Sequence, residues 1–274
     1  MADGGNETLL VSCEWLQDKV TSGDTGNIVV LDVTWSSDKD LYEDYKQRHI
    51  PGAAYLNVLI GPHSDSFPRN IPQQDVFQKN ARAVGVNDNS HVIVYSNSDK
   101  YGFFVSGRAW WTFKIFGAQT VSILDGGLQK WLSLGYPTVS GVTDVQPGNF
   151  TARFQKDYYC TFDQASSVVG TDTIILDSRP QELYKQGHVP GARNLPYSDL
   201  IDEETKTMKS VSEIRAALQG AGVDLEKPVV CYCNSGMSSC TLLFASKLCG
   251  AKDVSLYHGG FTLWKKSAPD NIGQ

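Results

Sequence analysis

The sequence predicts two tandem α/β domains, each a mostly parallel β-sheet with helices on both faces. The chain of 274 residues carries one pattern twice: RHIPGA at 48–53 corresponds to GHVPGA at 187–192, and ILDGGLQKW at 123–131 corresponds to LYHGGFTLW at 256–264. In both copies short β-branched runs alternate with helical patterns, as in parallel sheets. The length and a hydrophobic content of 41% suffice for two cores. We therefore expect one fold, duplicated.

Four short β-branched runs are expected to form the buried strands of the two sheets. The first copy supplies Ile28–Asp32 and His91–Ser96, and the second supplies Ile174–Asp177 and Pro228–Cys233. Each pair occupies equivalent places in the two copies.

Helices are expected between these strands. Ser12 is a plausible N-cap within a helical pattern over Leu10–Val20, and Ser210 with Glu213 forms a capping box before Val211–Leu218. Two longer helices, each ended by a glycine in the left-handed conformation, are expected over Gly102–Phe116 with Gly117 and over Ser238–Cys249 with Gly250.

The boundary between the domains is expected where the strand–helix alternation stops. Gly141 and Pro147 interrupt the pattern there. We assign residues 1–140 to the first domain, 141–157 to a linker and 158–274 to the second domain.

Composition excludes several classes of function. The net charge of −6 and a pI near 5.3 argue against nucleic-acid binding and against attachment to anionic lipid. No apolar run reaches the roughly 18–20 residues that span a bilayer. Residues 1–10 lack a basic segment and an arginine, unlike a secretory signal or a mitochondrial presequence. We expect a cytoplasmic protein, with a mitochondrial location as the alternative.

The six cysteines are expected to be reduced rather than paired. Their even number is compatible with disulfides, but a chain of this size without a signal peptide favours free thiols. The sequence has no CxxC pair and no histidine cluster at zinc spacing, so no metal site is expected. It also lacks a dinucleotide fingerprint and a P-loop, so no nucleotide cofactor is expected.

Cys233 is the position at which the two copies differ in chemistry. When the copies are superimposed, Tyr95 falls on Tyr232 and Ser96 falls on Cys233. The first copy therefore has a hydroxyl where the second has a thiol. This asymmetry indicates that chemistry is performed at Cys233; the alternative is a small buried cysteine at a strand end.

The loop after Cys233 has the features of an anion site. A buried strand ends at Cys233, a polar glycine-containing loop follows, and a helix begins near Ser238, so the loop lies at the carboxyl edge of a parallel sheet and at a helix N-terminus. A thiol there should have a lowered pKa and exist partly as thiolate. Because the loop has no Lys or Arg, we expect the negative charge to be stabilised by backbone N–H groups and by the hydroxyls of Ser235, Ser238 and Ser239.

Other cysteine and tryptophan side chains are expected to have structural roles. Cys231 alternates with Cys233 along the strand and should pack in the core. Cys240 lies inside the following helix and is interpreted as structural, with a resolving disulfide as the alternative. Four tryptophans in apolar patterns are also assigned to the core: Trp110, Trp111, Trp131 and Trp264.

The motifs LDVTW, RHIPGA, GHVPGA and the cysteine loop resemble those of the rhodanese-like sulfurtransferases over nearly the whole chain. The resemblance implies two tandem rhodanese-like domains, of which only the second is catalytic. It implies that the Cys233 thiolate takes a sulfane sulfur from a small donor to form a persulfide. The persulfide then passes its sulfur to cyanide, a small thiol or thioredoxin. The active-site loop that the resemblance implies comprises Asn234, Ser235, Gly236, Met237, Ser238 and Ser239.

The composition of this loop bears on the donor. Thiosulfate enzymes of the family resemble Cys-Arg-Lys-Gly, and 3-mercaptopyruvate enzymes resemble Cys-Gly-Ser-Gly. Residues 233–236 read Cys-Asn-Ser-Gly and contain no cation. The resemblance therefore favours 3-mercaptopyruvate as donor, with thiosulfate as the alternative.

The resemblance also implies a proton relay. In the mercaptopyruvate branch the loop serine joins a histidine and an aspartate of the first domain, which correspond here to Ser235, His49 and Asp40. Such a set could adjust the protonation of the donor thiol and stabilise an enolate. The alternative is that His49 only caps its own turn, since His188 occupies the equivalent turn in the second copy.

Arginines that hold the donor carboxylate in the family are incompletely matched. Arg179 is present, but Leu183 stands four residues later and the segment with the downstream arginine is missing. Lys185 is the candidate substitute, as a point charge. Arg179 could equally be a structural arginine paired with Asp177.

Two other classes remain as alternatives to a sulfurtransferase. A cysteine-dependent phosphatase needs a Cys-x5-Arg loop, but position 239 is serine, which argues against that class. A non-catalytic binding module is the other alternative, since the first copy already has Ser96 in place of the cysteine.

Overall fold

The computed structural model describes residues 8–97 and 102–274. The end of the HVIVYSNSD motif, residues 98 and 99, and the N-terminal residues 1–7 lie outside the described residues. In the first domain the elements are β1 Leu10–Val11, α1 Cys13–Ser22, β2 Ile28–Asp32, α2 Tyr42–Gln47, β3 Ala54–Tyr55, α3 Gln74–Ala83, β4 His91–Tyr95, α4 Gly102–Ile115, β5 Thr120–Leu124 and α5 Gly127–Ser133.

The second domain repeats this order of elements. After a 3-10 turn at Lys156–Tyr158 come β6 Tyr159–Cys160, α6 Phe162–Ser167, β7 Ile174–Asp177, α7 Gln181–Lys185, β8 Arg193–Asn194, a 3-10 turn at Tyr197–Leu200, α8 Val211–Gly220, β9 Val229–Tyr232, α9 Ser238–Leu248, β10 Val254–Tyr257 and α10 Gly260–Ser267.

The two sheets have the same topology. Their strand orders are β1-β5-β4-β2-β3 and β6-β10-β9-β7-β8, and all the neighbouring pairs are parallel. Equivalent tyrosines make equivalent bonds: the Tyr95 hydroxyl accepts from the Ile50 N–H at 3.2 Å, and the Tyr232 hydroxyl accepts from the Val189 N–H at 3.0 Å. The duplicated α/β fold predicted from the sequence is confirmed.

One predicted helix begins later than expected. Leu10 and Val11 pair with β5 as an edge strand instead of opening a helix. The helix begins at Cys13, after Ser12, whose hydroxyl accepts from the Trp15 N–H at 3.2 Å. The predicted N-cap is confirmed, whereas the predicted start at Leu10 is wrong because sheet pairing outweighs the helical pattern.

The other helix boundaries predicted from the sequence are confirmed. The capping box of Ser210 and Glu213 opens α8. Gly117 and Gly250 end α4 and α9 with φ of +88° and +95°, a conformation that glycine adopts without a steric cost. The four tryptophans assigned to the core are buried.

The predicted linker, residues 141–157, lies along the first domain. Gly148 N–H donates to the Arg82 carbonyl at 2.8 Å, and Phe150 N–H donates to the Val86 carbonyl at 3.1 Å. The chain therefore enters the second domain after crossing the surface of the first.

Helices α4 and α9 pack against each other and join the two domains. The Thr241 hydroxyl donates to the Phe103 carbonyl at 2.8 Å, and the Trp110 and Phe244 rings meet edge-on at 5.2 Å. Because α9 follows the cysteine loop directly, this packing places first-domain side chains beside that loop. Within the described residues, the helices are too short or too polar to cross a bilayer.

Candidate active site

Cys233 follows the last residue of β9 and lies at the floor of the loop that leads into α9. Its side chain is buried, and its Sγ accepts hydrogen bonds from the Met237 N–H at 3.2 Å and from the Ser239 hydroxyl at 3.3 Å. Gly236 has a φ of +72°, and a Cβ there would lie 2.6 Å from the Nδ1 atom of His258. Glycine thus lets the loop fold tightly enough to aim N–H groups at the sulfur.

The environment favours the thiolate of Cys233. Burial is the largest single influence on the pKa of Cys233 and raises it. Hydrogen bonds to the sulfur outweigh burial and lower the pKa below its ordinary value; they come from the Ser239 hydroxyl and from the backbone N–H groups of Ser239, Ser235 and Met237. Burial is the main cause that raises the pKa of the other five cysteines, to about 12 in Cys13 and Cys160. All six thiols are unpaired in the structure.

A tight turn at Gly260 fixes the backbone of Cys233. The Phe261 N–H donates to the Cys233 carbonyl at 2.7 Å, and Gly260 has a φ of +57°. A Cβ on Gly260 would collide with that carbonyl. In the first domain, a Cβ on Gly127 would collide with the Ser96 carbonyl in the same way.

Arg108 of α4 supplies a cation beneath the loop. It is fully buried; its Nη1 donates to the Gly236 carbonyl at 2.7 Å, and its Nη2 donates to the Arg69 carbonyl at 2.8 Å. Its guanidinium lies 4.9 Å from the centre of the Trp111 ring. Burial lowers the pKa of Arg108, while attraction to Cys240 and Cys233, when these are ionised, raises it.

Arg69 contacts the loop from the first domain. Its Nη1 donates to the Ser235 hydroxyl oxygen at 3.0 Å, and its guanidinium lies 5.5 Å from the Trp35 ring centre. The hydroxyl hydrogen of Ser235 stays available to donate to a ligand.

A cavity of about 730 Å³ opens above the loop, between the two domains. This volume suits a small-molecule ligand. Charged, polar and aromatic side chains share its wall, and Cys233 lines it. The lining residues include Trp35, Lys39, Asp44, Arg69, Arg179, Leu183, Cys233, Asn234 and Ser235.

Comparison with known proteins agrees with this geometry. Residues 12–134 and 161–267 match the model of the rhodanese-like domain. Thiosulfate sulfurtransferase of Gallus gallus is 34% identical over 274 residues, which cover 95% of this chain and 94% of that protein. The chain belongs to the rhodanese-like sulfurtransferase family.

Relatives of this rhodanese-like protein carry the names of two donors. 3-Mercaptopyruvate sulfurtransferase of Homo sapiens is 31% identical, with 96% of this chain and 94% of that protein covered. The solved structure of SseA, a 3-mercaptopyruvate sulfotransferase of Escherichia coli, superposes with a TM-score of 0.83 at 28% identity, covering 92% of this chain and 98% of that one. Similarity alone therefore does not choose the donor.

The predicted relay would join Ser235, His49 and Asp40 of this rhodanese-like protein. The His49 Nδ1 lies 2.9 Å from the Tyr45 carbonyl oxygen, and the Nε2 lies 3.0 Å from the Thr143 hydroxyl. Asp40 is exposed and accepts from the Tyr42 N–H at 3.0 Å. In this structure both nitrogens of His49 hold its own turn and the three residues are not brought together, so the relay stays a prediction.

His188 repeats this arrangement in the second domain, which supports the alternative given above. Its Nδ1 lies 3.0 Å from the Tyr184 carbonyl oxygen, and its ring stacks on the Tyr184 ring at 3.9 Å. In the first domain His49 stacks on Tyr45 at 4.1 Å. Both histidines therefore have one structural role.

Arg179 is held mainly by structural partners. Its Nε and Nη2 donate to the Asp177 carboxylate at 2.9 and 2.6 Å, and its Nη2 also donates to the Gly187 carbonyl. Only Nη1 reaches the loop, at 3.5 Å from the Asn234 side-chain oxygen. The alternative of a structural pair with Asp177 is confirmed, and a substrate contact by Arg179 stays a prediction.

Lys185, the candidate substitute for the missing arginine, lies outside the cavity in this structure. It is exposed at the end of α7 and does not line the cavity, whereas Leu183 does. The helix turns the lysine away because residues two apart lie on different faces.

Among the predicted hydroxyls, Ser239 bonds the sulfur directly. The Ser238 hydroxyl lies 2.8 Å from the Ser178 hydroxyl and joins the loop to β7. Ser235 bonds Arg69 through its side chain and affects Cys233 through its N–H. The three serines thus have three different roles.

Sequence reasoning missed Arg69, Arg108 and His258. Arg108 lies in the segment RAWWTFKIFG, whose apolar pattern hid a buried cation. His258 packs behind Gly236. Burial is the main cause that keeps the pKa of His258 well below its ordinary value, and the positive charge of Arg108 is the second cause. The domain packing brings Arg69 and Arg108 to the loop, whereas His258 follows β10 within the same domain as the loop.

Proposed function

We propose that the protein transfers sulfur from 3-mercaptopyruvate, through a persulfide on Cys233, to a thiol or cyanide acceptor. The observation that carries the proposal is the Cys233 thiol, whose pKa is lowered and which lines a cavity between the domains. Lowered pKa and access are what distinguish a reactive cysteine from a structural one.

The first half-reaction follows from this arrangement. The Cys233 thiolate attacks the donor sulfur, an S–S bond forms and the C–S bond breaks. The electron pair of the C–S bond goes to carbon as the enolate of pyruvate, which takes up the proton that the donor thiol gives up. The N–H and hydroxyl groups that held the thiolate then face the persulfide, which carries the same charge.

The second half-reaction regenerates the thiolate. An acceptor thiolate, from a small thiol or thioredoxin, or cyanide, attacks the outer persulfide sulfur and the Cys233 thiolate leaves. Since the leaving group has a lowered pKa, it leaves readily. The volume of about 730 Å³ offers room for a small acceptor beside the loop.

Thiosulfate is the second candidate donor. The observation in its favour is that Arg69 and Arg108 bring two cations to a loop that has none of its own. Both Nη atoms of Arg108 are bound to backbone carbonyls, however, so of these two arginines only Arg69 lines the cavity. This charge suits a monoanionic donor better than a dianion.

The roles of the two domains are part of the proposal. Residues 158–274 carry the reacting cysteine, residues 1–140 form the non-catalytic domain, and residues 141–157 connect them. The first domain still takes part, because Arg69 and Arg108 contact the loop of the second.

Steady-state kinetics with both donors tests this function. We expect a kcat/KM for 3-mercaptopyruvate at least tenfold above that for thiosulfate, with dithiothreitol as acceptor, and no turnover by Cys233→Ala. A preference for thiosulfate would reverse the donor, and no turnover with either would favour a binding module.

A further inference from the structure

On the basis of the function proposed above, we propose that Arg69 of the first domain binds the carboxylate of the sulfur donor. The Arg179 guanidinium is paired with Asp177, and the Lys185 ammonium lies outside the cavity. With Arg69 in this role, the first domain binds the donor and the second domain supplies the reacting Cys233.

Three cationic side chains line the described wall of the cavity, and two have a carboxylate partner. Lys39 pairs with Asp44 at 2.7 Å, and Arg179 pairs with Asp177 at 2.6 Å. Arg69 has no carboxylate within ion-pair distance in the described ranges. Its charge is thus the one left for a ligand.

Arg69 is positioned by contacts on both sides. Its Nη1 donates to the Ser235 hydroxyl at 3.0 Å, two residues beyond the reacting Cys233. Its carbonyl accepts from Arg108 at 2.8 Å, which ties the Arg69 backbone to the residue that also holds Gly236. The guanidinium is therefore fixed relative to the loop before a donor enters.

The chemistry of this position matches a carboxylate. The Arg69 Nε is buried and has no hydrogen-bond partner within residues 8–97 and 102–274. A guanidinium without a counter-charge is costly in a partly buried position, and an anion in the cavity relieves that cost. A planar guanidinium binds a carboxylate through two parallel hydrogen bonds.

Two sulfur donors distinguish binding of the donor carboxylate by Arg69 from a structural role in which Arg69 only holds Ser235 in place. Mercaptoacetone has a methyl group where 3-mercaptopyruvate has its carboxylate. For Arg69→Gln we expect kcat/KM for 3-mercaptopyruvate to fall about 30- to 100-fold, because a charge-assisted bidentate hydrogen bond is lost. We expect kcat/KM of the same variant for mercaptoacetone to change less than threefold. Arg69→Lys should fall between. The control Arg193→Gln removes an exposed arginine outside the cavity and should change neither.

An equal loss with both donors, or no loss with either, would overturn the inference. A binding measurement separates it from the proposed function. Pyruvate should protect Cys233 of the wild type from iodoacetamide and should not protect Arg69→Gln. If no persulfide forms but this difference in protection is seen, the function is wrong and the Arg69 site stands. Equal protection, or none in either protein, would contradict the site.

Discussion

Arg108 donates a 2.7 Å hydrogen bond to the carbonyl oxygen of Gly236, so a buried cation of the first domain holds the cysteine loop of the second. The loop itself contains no basic residue. The first domain, which has Ser96 at the position equivalent to Cys233, thus contributes to the site through α4.

Replacing Arg108 with Met should raise the pKa of Cys233. The substitution removes a buried positive charge and frees the Gly236 carbonyl, and both changes disfavour the thiolate. We expect the midpoint of iodoacetamide alkylation against pH to rise by about one unit, and Arg108→Lys to restore part of the shift. An unchanged midpoint in a folded variant would show that Arg108 has a packing role and does not influence the pKa of Cys233.

Replacing Ser239 with Ala should slow the thiolate chemistry without unfolding the protein. The Ser239 hydroxyl donates to the sulfur at 3.3 Å, and a bond to a charged group contributes about 1.5–3 kcal/mol. We expect alkylation of Cys233 at neutral pH to slow about tenfold. The control is Ser246→Ala in the same helix, where the buried hydroxyl donates to the Leu242 carbonyl. Equal rates in the two variants would remove Ser239 from the site.

Replacing His49 with Gln should affect stability rather than catalysis. Its ring nitrogens contact the Tyr45 carbonyl and the Thr143 hydroxyl, so the free energy of unfolding should fall by about 1–2 kcal/mol. We expect kcat within threefold of the wild type, and the same for Asp40→Asn. A loss of kcat above about 30-fold at unchanged stability, measured by urea unfolding, would restore the relay.

Equivalent glycines of the two domains offer a matched pair of variants. Gly260→Ala and Gly127→Ala each place a Cβ against a carbonyl at positive φ, which should cost about 1–3 kcal/mol of stability in both. Only Gly260→Ala displaces Cys233, so we expect single-turnover persulfide formation to slow at least tenfold there and less than twofold in Gly127→Ala. Equal slowing would mean that stability alone governs the rate.

Asp125 should make stability depend on pH. Burial is the main cause that raises its pKa to about 6, and its carboxylate accepts from the Met208 N–H across the domain boundary at 2.8 Å. Because the folded state favours the neutral acid, the stabilisation is complete below the ordinary value of 3.8 and is lost as pH rises through about 6.

Asp125→Asn keeps an acceptor for the Met208 N–H and removes the titration. Between pH 4 and 7, the free energy of unfolding of the wild type should fall relative to that of the variant by about 1–2 kcal/mol, as urea titrations at each pH would measure. A constant difference would contradict the shifted pKa.

The sequence allowed the fold to be predicted because it repeats local signals. The capping box at Ser210, the glycines that end α4 and α9, and the β-branched strands are decided within a few residues of chain. The edge strand Leu10–Val11 was missed because its partner, β5, lies more than a hundred residues away.

The site could be predicted only in part, for the same reason. Cys233 and the hydroxyl of Ser239 belong to one loop and one helix start. Arg69 and Arg108 come from distant segments that meet the loop when α4 packs on α9. The motif around His49 does not show that Tyr45 and Thr143 contact its ring nitrogens, because these contacts arise only in the folded chain.

Locating the transferred sulfur is the most direct test of the central claim. The protein would be treated with stoichiometric 3-mercaptopyruvate, alkylated and digested, and all six cysteines would be examined by peptide mass spectrometry. We expect one extra sulfur on Cys233 alone, removable by cyanide, with an equal amount of pyruvate released. Sulfur on another cysteine, or pyruvate release by Cys233→Ala, would contradict the assignment of Cys233 as the reacting thiolate.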